Sequence, residues 1–384
     1  MTSATTKNKL KIAFVLDDGF DSIDGVQRNI LTLGDWLIRN GHSVKYLVGA
    51  TKRTDIDNII PLSKNLRVRY NGNVLSISLY SSKKEILKVL NKEKFDVVHI
   101  QVPYSPFMGA KVIKHAAKNS LIVGTFHILP YKKFHNIGNY ALGFWLRNNL
   151  KLIDLKYSVS LPAATFAKKT HNFDSEILPN PVDVKSFSTN AQPRNKSEIN
   201  IVFLGRLVPR KGCKEFLRVI KFIKANSLIK RDFKVHICGH GHQESELKRY
   251  VSSNGLSENV IFHGFVSEKD KIKMLQNANV AVFPAIEGES FGIVLIEAMA
   301  AKSGVVLAAN NPGYKSVLGS IPEVIFNPKD VESFANLVAK SAVSDTFADS
   351  VHSKQQSLVA SFDINKIGSK LLSYYKVGLQ KKFG

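Results

Sequence analysis

The sequence predicts an α/β chain built from two doubly wound, parallel-sheet halves, and three observations carry that expectation. At 384 residues the chain is long for one core, so two domains are expected. From Leu10 onward, short apolar runs suited to buried parallel strands alternate with helical stretches. The alternation breaks at the polar stretch Asn190 to Ser197 (NAQPRNKS) and restarts at Ile199. The expected division is therefore 1–188, 189–363, and a terminal helix over 364–384 that packs back on the first domain.

Composition narrows the class. A hydrophobic share of 44% with 9% aromatic residues belongs to an ordinary folded chain. The two cysteines, Cys213 and Cys238, are too few for a disulfide framework and lack metal-binding spacing. A reducing cytoplasm fits them, and a structural zinc does not. The formal net charge is +23, spread as +13 over residues 1–190 and +10 over 191–384. Such a balance favours an anionic partner: nucleic acid, an acidic membrane surface or phosphorylated small molecules. A merely solvated basic surface is the alternative. The start, MTSATTKNK, lacks the apolar core of a signal peptide. The stretch Gly292 to Ala309 holds Glu297, Lys302 and Gly304 and reads as helix then strand, so any membrane contact is expected to be peripheral.

Taken in order, Leu10 to Leu16 reads as the first strand, followed by the Asp- and Gly-rich loop DDGFDSIDGVQ. Helix is expected over Val26 to Asn40 and strand over Val44 to Val48. No GxGxxG occurs in that loop, so a dinucleotide fingerprint is absent. Leu66 to Leu79 reads as strands about a Tyr70-Asn71-Gly72-Asn73 turn. Ser81 to Lys92 is a basic amphipathic helix, Phe95 to Gln101 a strand, Met108 to Asn119 a helix and Leu121 to His127 a strand. Tyr131 to Lys156 reads as one basic, aromatic helical segment, with short strands at Ser158 to Leu161 and Ser175 to Leu178. The second half gives strands at Ile199 to Leu204, Phe233 to Ile237, Val260 to His263, Val280 to Phe283 and Val305 to Ala308. Its helices are Cys213 to Ala225, Glu244 to Ser253, Lys269 to Asn277 and Phe291 to Ala301, with a last one over Ile364 to Lys376.

Chemistry concentrates at the ends of the second-half strands. Phe283 to Met299 (FPAIEGESFGIVLIEAM) is a strand, an acidic loop and an apolar helix, with Glu289 in the loop and Glu297 seven residues beyond Ser290. Free N–H groups at that helix start welcome a polar or anionic ligand, and Glu289 in its mouth can accept hydrogen bonds from hydroxyls. On this segment alone, an ordinary βα unit with two acids explains the pattern equally well. GRLVPRKG puts Gly205 and Arg206 at a strand end and Arg210 and Lys211 before a helix, a setting for a diphosphate. Gly239 and Gly241 flank His240 at another strand end, where a backbone can approach closely. The HxH of His240 and His242 fits a surface loop better than a metal site.

Together, GRLVPRKG, the Gly239/Gly241 turn, Gly264 and Glu289-SFGIVLI-Glu297 resemble the nucleotide-sugar half of glycosyltransferase family 4. The resemblance implies the GT-B fold, two Rossmann-like domains facing a cleft. ILPNPVDVKSF (Ile177 to Phe187) resembles the family's interdomain segment, with Asn180-Pro181 where Asn-Gly is more usual. In the first half, DGVQRNILTLGDWLIRNGHSV, YNGNV, FDVVHIQVPYSP and VGTFH are similar to the bacterial phosphatidylinositol mannosyltransferases, peripheral enzymes that move mannose from GDP-mannose to a lipid inositol. By that resemblance Gly25 approaches the donor diphosphate, and Gln27, with Tyr70 and Asn71, lies near the acceptor. His127 faces the transferred sugar, Arg206, Arg210 and Lys211 hold the diphosphate, and Glu289 grips sugar hydroxyls. Gly205, Gly239, Gly241 and Ser290 border the donor, Phe291 and Gly292 offer N–H groups, and Glu297 binds the ribose. Asp24 stands where a second Gly is usual, and the basic loop is one residue shorter, so acceptor and base stay open.

Structural roles remain open for His127 and His99 as core histidines and for Gln27 as a helix-face residue. The family retains anomeric configuration, and no second carboxylate is placed as a nucleophile. The expected mechanism is front-face substitution in which Arg206 and Lys211 stabilise the departing diphosphate, with no metal, no other cofactor and a domain closure over the donor. The Lys, Phe, Trp and Tyr content of Tyr131 to Lys156 suits an element that docks on a membrane. Expected partners are a nucleotide sugar and an anionic membrane with its lipid acceptor, at the inner face of the cell membrane, the chain itself being a monomer or weak dimer. The alternatives are a UDP-sugar hexosyltransferase with a diacylglycerol or polysaccharide-precursor acceptor, a nucleotide-sugar epimerase, and a nucleic-acid-binding protein. The last lacks any supporting motif, and no nucleic acid is expected as partner.

Overall fold

The structure, a computed structural model, describes residues 9–70, 73–130, 135–189 and 198–384, without the side chains of 66–70, 73–77, 79 and 135–137. It divides into two compact units, one of residues 1–181 with 364–384 and the other of residues 182–363.

The first unit runs β1 (Lys11–Leu16), α1 (Gly25–Arg39), β2 (Ser43–Val48), β3 (Ile59–Pro61), β4 (Lys64–Tyr70), β5 (Asn73–Tyr80), α2 (Lys83–Glu93), β6 (Val97–Gln101), α3 (Met108–Ala116), β7 (Leu121–Phe126), α4 (His135–Leu150), β8 (Leu155–Ser158), α5 (Leu161–His171) and β9 (Glu176–Ile177). Seven of these strands form a sheet in the order β3-β2-β1-β6-β7-β8-β9, with every pairing parallel. Alternate residues of β1 feed opposite faces: Ile12, Phe14 and Leu16 join one core, Ala13 and Val15 the other. β4 and β5 form a separate antiparallel pair, and the tip of their turn lies outside the described residues.

The second unit contributes α6 (Val184–Ser188), β10 (Ile199–Leu204), α7 (Cys213–Ala225), β11 (Phe233–Cys238), α8 (Glu244–Ser253), β12 (Val260–Gly264), α9 (Glu268–Asn277), β13 (Val280–Phe283), α10 (Ile293–Ala300), β14 (Val305–Ala309), α11 (Pro312–Leu318), β15 (Ile325–Phe326), α12 (Val331–Val343) and α13 (Asp345–Val359). Its sheet has six strands in the order β12-β11-β10-β13-β14-β15, again all parallel. α14 (Ile364–Phe383) then returns to the first unit. Among the described residues no helix is long and apolar enough to cross a membrane.

Two expectations are corrected. Tyr131 to Lys156 is not one helix: α4 ends at Leu150, and Lys156 lies in β8. The strand expected at Ser158 to Leu161 sits at Leu155–Ser158, because Leu161 opens α5. There the Ser160 hydroxyl accepts the Ala163 N–H at 3.2 Å and Pro162 occupies the first turn, a start that favours helix over strand.

Candidate active site

In both sheets the strand order reverses once, between β1 and β6 in the first and between β10 and β13 in the second. Loops at the carboxyl ends of the strands flanking such a reversal diverge and leave a crevice that suits ligands. The loops after β10 and β13 are GRLVPRKG and PAIEGES, so the two richest motifs of the second half meet at its switch point.

Their charged groups converge. Arg210 and Lys211 lie in a short 3-10 turn just before α7. Arg210 Nη1 is 2.8 Å and Lys211 Nζ 2.7 Å from the same oxygen, Oε1 of Glu289. All three side chains are at most 16% exposed, a depth at which electrostatic contacts are strong. Burial raises the proton affinity of Glu289, but Lys211 and Arg210 outweigh it and hold the carboxyl below its ordinary value. Burial lowers the affinity of Lys211, Glu289 counters it, and Arg210 and Arg206 add to the lowering. Arg206 therefore acts on the same cluster, which sets three cations against one carboxylate. That surplus of positive charge lies beside the N-termini of α7 and α10.

Backbone contacts hold this arrangement. Ile286 N–H donates to Arg210 C=O at 2.9 Å, tying one loop to the other. Gly212 caps the 3-10 turn at φ +72, and a Cβ there would lie 2.1 Å from Pro284 O, so only glycine fits. Gly205 N–H donates to Cys238 C=O at 3.0 Å and Leu207 N–H to His240 C=O at 2.8 Å. Gly239, at φ +140, passes so close to Gly205 that a Cβ would sit 2.0 Å from its carbonyl oxygen. Gly241 lies equally tight against Leu207.

The helix expected from Phe291 begins at Ile293, with Gly292 as its N-cap at φ +107. Phe291 is buried edge-on against Phe362 at 5.7 Å, and Ser290 is half-buried. Glu297, 2% exposed on α10, is 2.9 Å from Lys271 Nζ. Lys271 is itself buried on α9 and stands 5.3 Å over the Phe187 ring.

In the first unit, Gly25 is the exposed first residue of α1. Gln27 is 4% exposed, and its Nε2 donates to Gly19 C=O at 3.3 Å and to Asp18 Oδ2 at 3.4 Å. His127 directly follows β7; its Nε2 is 2.6 Å from Gln101 Oε1, and burial depresses the imidazole to about 3. It is therefore neutral near pH 7. Tyr70 ends β4 with its side chain outside the description, and Asn71 lies outside the described residues.

Comparison with known proteins places this geometry. A family model described as Glycosyltransferase Family 4 matches residues 23–186, and one described as Glycosyl transferases group 1 matches residues 184–350. The chain is 30% identical over 321 residues to the phosphatidyl-myo-inositol mannosyltransferase of Mycolicibacterium smegmatis, covering 80% of this chain and 78% of that one. The chain belongs to glycosyltransferase family 4. The Mycobacterium tuberculosis protein of the same name is 27% identical, across 96% of this chain and 97% of its own. Among solved structures, a glycosyltransferase from Rickettsia africae superposes with a TM-score of 0.77 at 18% identity, covering 97% of this chain and 99% of that one. Anabaena HepE, solved with UDP-glucose, gives 0.70 at 16% identity, covering 96% and 100%. These likenesses establish the GT-B fold.

For a family-4 glycosyltransferase the cluster reads in chemical terms. Buried cations gathered at two helix N-termini are suited to hold negative charge. The sequence motifs mark Arg206, Arg210, Lys211 and Glu289, but not Lys271 beside Glu297, Tyr314 near Glu289 or, in the first unit, Gln101 beside His127. Lys271 has the spacing of an ordinary helix lysine. Tyr314, fully buried on α11, is held protonated by burial and by the nearby Glu289 charge. Gln101 was read only as a strand end, although its Nε2 has no hydrogen-bond partner among the described residues.

Proposed function

We propose that this glycosyltransferase moves mannose from GDP-mannose to the inositol of a phosphatidylinositol, with retention at the anomeric carbon. The observation that carries the reading is the cluster in which Arg210 and Lys211 pair with Glu289 and Arg206 acts on Lys211, at the switch point of the second sheet. The names of the mycobacterial relatives supply the donor sugar and the lipid.

In this reading Arg206 and Lys211 bind the diphosphate, and Glu289, held ionised by its partners, turns to the sugar hydroxyls. Gly239 and Gly241 let the strand-end backbone approach the donor, and N–H groups at Phe291 and Gly292 face its phosphates. Glu297 binds the ribose, exchanging its ion pair with Lys271 for sugar hydroxyls. Departure of the diphosphate develops negative charge on its bridging oxygen, and the fixed cations stabilise that charge. The leaving oxygen takes the proton of the incoming inositol hydroxyl on the same face, so the configuration is kept. Gly25 approaches the donor diphosphate, while Gln27, Tyr70, Asn71 and neutral His127 serve the acceptor and the transferred sugar. Domain closure over the donor excludes water.

The test is a transfer screen with purified protein. GDP-mannose, UDP-glucose, UDP-galactose and UDP-N-acetylglucosamine are each offered with and without vesicles containing phosphatidylinositol or diacylglycerol. The expected result is mannose on phosphatidylinositol, cut by about 100-fold or more in Glu289→Ala and in Arg206→Ala. Turnover with another donor or lipid overturns the mannose or inositol assignment, and an inverted product overturns the front-face step.

A further inference from the structure

All five residues of β6 are buried, yet the strand ends in a side chain that its surroundings leave half-satisfied. Gln101 is 1% exposed. An amide in that setting costs stability unless both its oxygen and its nitrogen find partners. Only one does. Oε1 lies 2.6 Å from Nε2 of His127, while Nε2 of the amide is buried without a hydrogen-bond partner among the described residues. A leucine or methionine would fill the same space without stranding an amide N–H, so what the glutamine supplies is an acceptor for His127. A buried polar group left partly unpaired calls for a use beyond stability.

Strand pairing aims this contact. Gln101 stands opposite Thr125 of β7, and His99 opposite Val123, so alternation puts all four side chains on one face of the sheet. On that face each polar β6 residue reaches the residue two places beyond its opposite number. His99 Nε2 is 2.7 Å from Thr125 Oγ1, and Gln101 Oε1 meets His127 just past the end of β7. The lower of these diagonal rungs is anchored by α14, where the Tyr375 hydroxyl is 2.7 Å from His99 Nδ1. The upper one sits at the carboxyl edge of the first sheet, beside its reversal between β1 and β6, the place that suits ligands. Val102, the next residue, takes φ +60, a conformation that a β-branched side chain resists. Its N–H donates to Thr125 C=O at 3.2 Å and its C=O accepts the Ser105 N–H at 3.0 Å. The chain therefore turns away directly after Gln101 and leaves the Gln101–His127 pair at the strand end.

An amide oxygen can only accept, so the contact places the proton of a neutral imidazole on Nε2 and the lone pair on Nδ1. We propose that Gln101 is a positioning residue for sugar transfer: it locks His127 in the Nε2–H tautomer and so makes Nδ1 the acceptor for a hydroxyl of the transferred sugar. The inference rests on the reading above in which His127 faces that sugar, and it adds what fixes the histidine in a usable form. Without the amide oxygen the neutral ring exchanges its proton between the two nitrogens, and the Nδ1–H form offers a donor where an acceptor is required. A hydroxyl that donates to Nδ1 has its own direction set, so the tautomer governs how the sugar is oriented.

Long-range proton–nitrogen spectra of the full chain, recorded without donor or acceptor, read the tautomer directly. The chain has 11 histidines, and the signals that vanish in His127→Gln are those of His127. The expected wild-type pattern is a protonated Nε2 and an unprotonated Nδ1. Gln101→Met keeps the length and removes the acceptor. Its His127 signals should move toward the average of the two tautomers, and kcat should drop about tenfold or more, with the KM for the donor changed less. The assay uses GDP-mannose and phosphatidylinositol vesicles, or whichever pair the transfer screen turns over. Gln101→Glu restores an acceptor oxygen; assayed at about pH 8.5, so that the ring stays neutral beside the carboxylate, it should recover the tautomer and most of kcat. A wild-type spectrum with the proton on Nδ1 overturns the proposal, whether or not the variants fold. So does a fall in kcat with the His127 signals unmoved, which marks a packing role. If Gln101→Met works as well as the wild type while His127→Gln is inactive, this inference alone fails. Full transfer by His127→Gln instead defeats the reading of His127 on which it rests.

Discussion

Asp17 directly follows β1 and is almost wholly enclosed. Its carboxylate accepts the Ser105 hydroxyl and, at 2.6 Å, the Gly109 N–H in the first turn of α3. Burial pushes the carboxyl up to about 6, against the lowering by Ser105, Gly109 and Lys111. The folded form thus holds the proton more tightly than the unfolded chain, whose carboxyl titrates near 3.8. Its contribution to stability is complete below that value and is lost as pH rises through about 6. Asp17→Asn keeps the shape and removes the titration. Wild type should therefore gain on the variant by about 2 kcal/mol between pH 7 and pH 4. Denaturant midpoints of both proteins across that range check it, and a difference that does not move with pH rejects the account. His99 and His127, each depressed to about 3 by burial, act in the opposite sense below pH 6.5, but they are common to both proteins and cancel.

At the scale of elements, the loops after β10, β11 and β13 are fixed by glycine at points of backbone contact. Gly212 and Gly255 both have positive φ, +72 and +65, but a Cβ at Gly255 meets nothing within 4 Å, while one at Gly212 strikes Pro284 O. Gly255→Ala should cost only the left-handed conformation, about 1–2 kcal/mol. Gly212→Ala should cost more and also lower donor affinity, because Arg210 and Lys211 move with the turn. Urea unfolding and nucleotide-sugar titration of the two variants check this, and equal losses in both would mean that the Pro284 contact carries no weight. The same comparison explains what was legible in the sequence. Strands such as Ile199–Leu204 and Val280–Phe283 and the helix Cys213–Ala225 agree with their sequence readings to the residue, since apolar runs between turn residues mark them. Phe291 and Gly292 read as helix because the apolar pattern starts there, yet Gly292 takes φ +107, outside the helical range, and caps the helix, so its first turn begins at Ile293. α5 escaped notice because its Ala- and Lys-rich sequence has little amphipathic contrast, although Ser160 before Pro162 is a start signal. Arg210, Lys211 and Glu289 were legible because each lies in a marked motif, whereas Lys271 and Gln101 were not, because they sit inside an ordinary helix and at an ordinary strand end.

At the scale of the molecule, the chain leaves the first unit at Pro181 and returns to it at Ile364, and the two crossing points are neighbours: Val182 N–H donates to Phe362 C=O at 2.9 Å. The second unit is thus a continuous segment, and the first is completed only when α14 arrives. α14 carries Ile364, Ile367, Leu371 and Tyr375 into the core that holds Phe14, Trp36 and Leu121. Its Gly368 lies against the Trp36 ring and its Gly378 against Leu121 and Leu155. Tyr375 Oη is 2.7 Å from Nδ1 of buried His99, whose Nε2 is 2.7 Å from Thr125 Oγ1. Four buried side chains contribute on the order of 6–12 kcal/mol, as much as a whole domain's net stability of about 5–15 kcal/mol. Removing α14 also leaves His99 with an unpaired buried nitrogen, a further penalty. A chain ending at Asp363 should therefore keep the second unit folded and lose the first, whereas residues 182–363 alone should unfold as one cooperative transition. Urea unfolding of the full chain, of 1–363 and of 182–363 checks both statements. A first-unit transition in 1–363 at the midpoint of the full chain would show that the sheet stands without its returning helix, and Tyr375→Phe, which removes only the hydroxyl, then measures what the contact with His99 contributes.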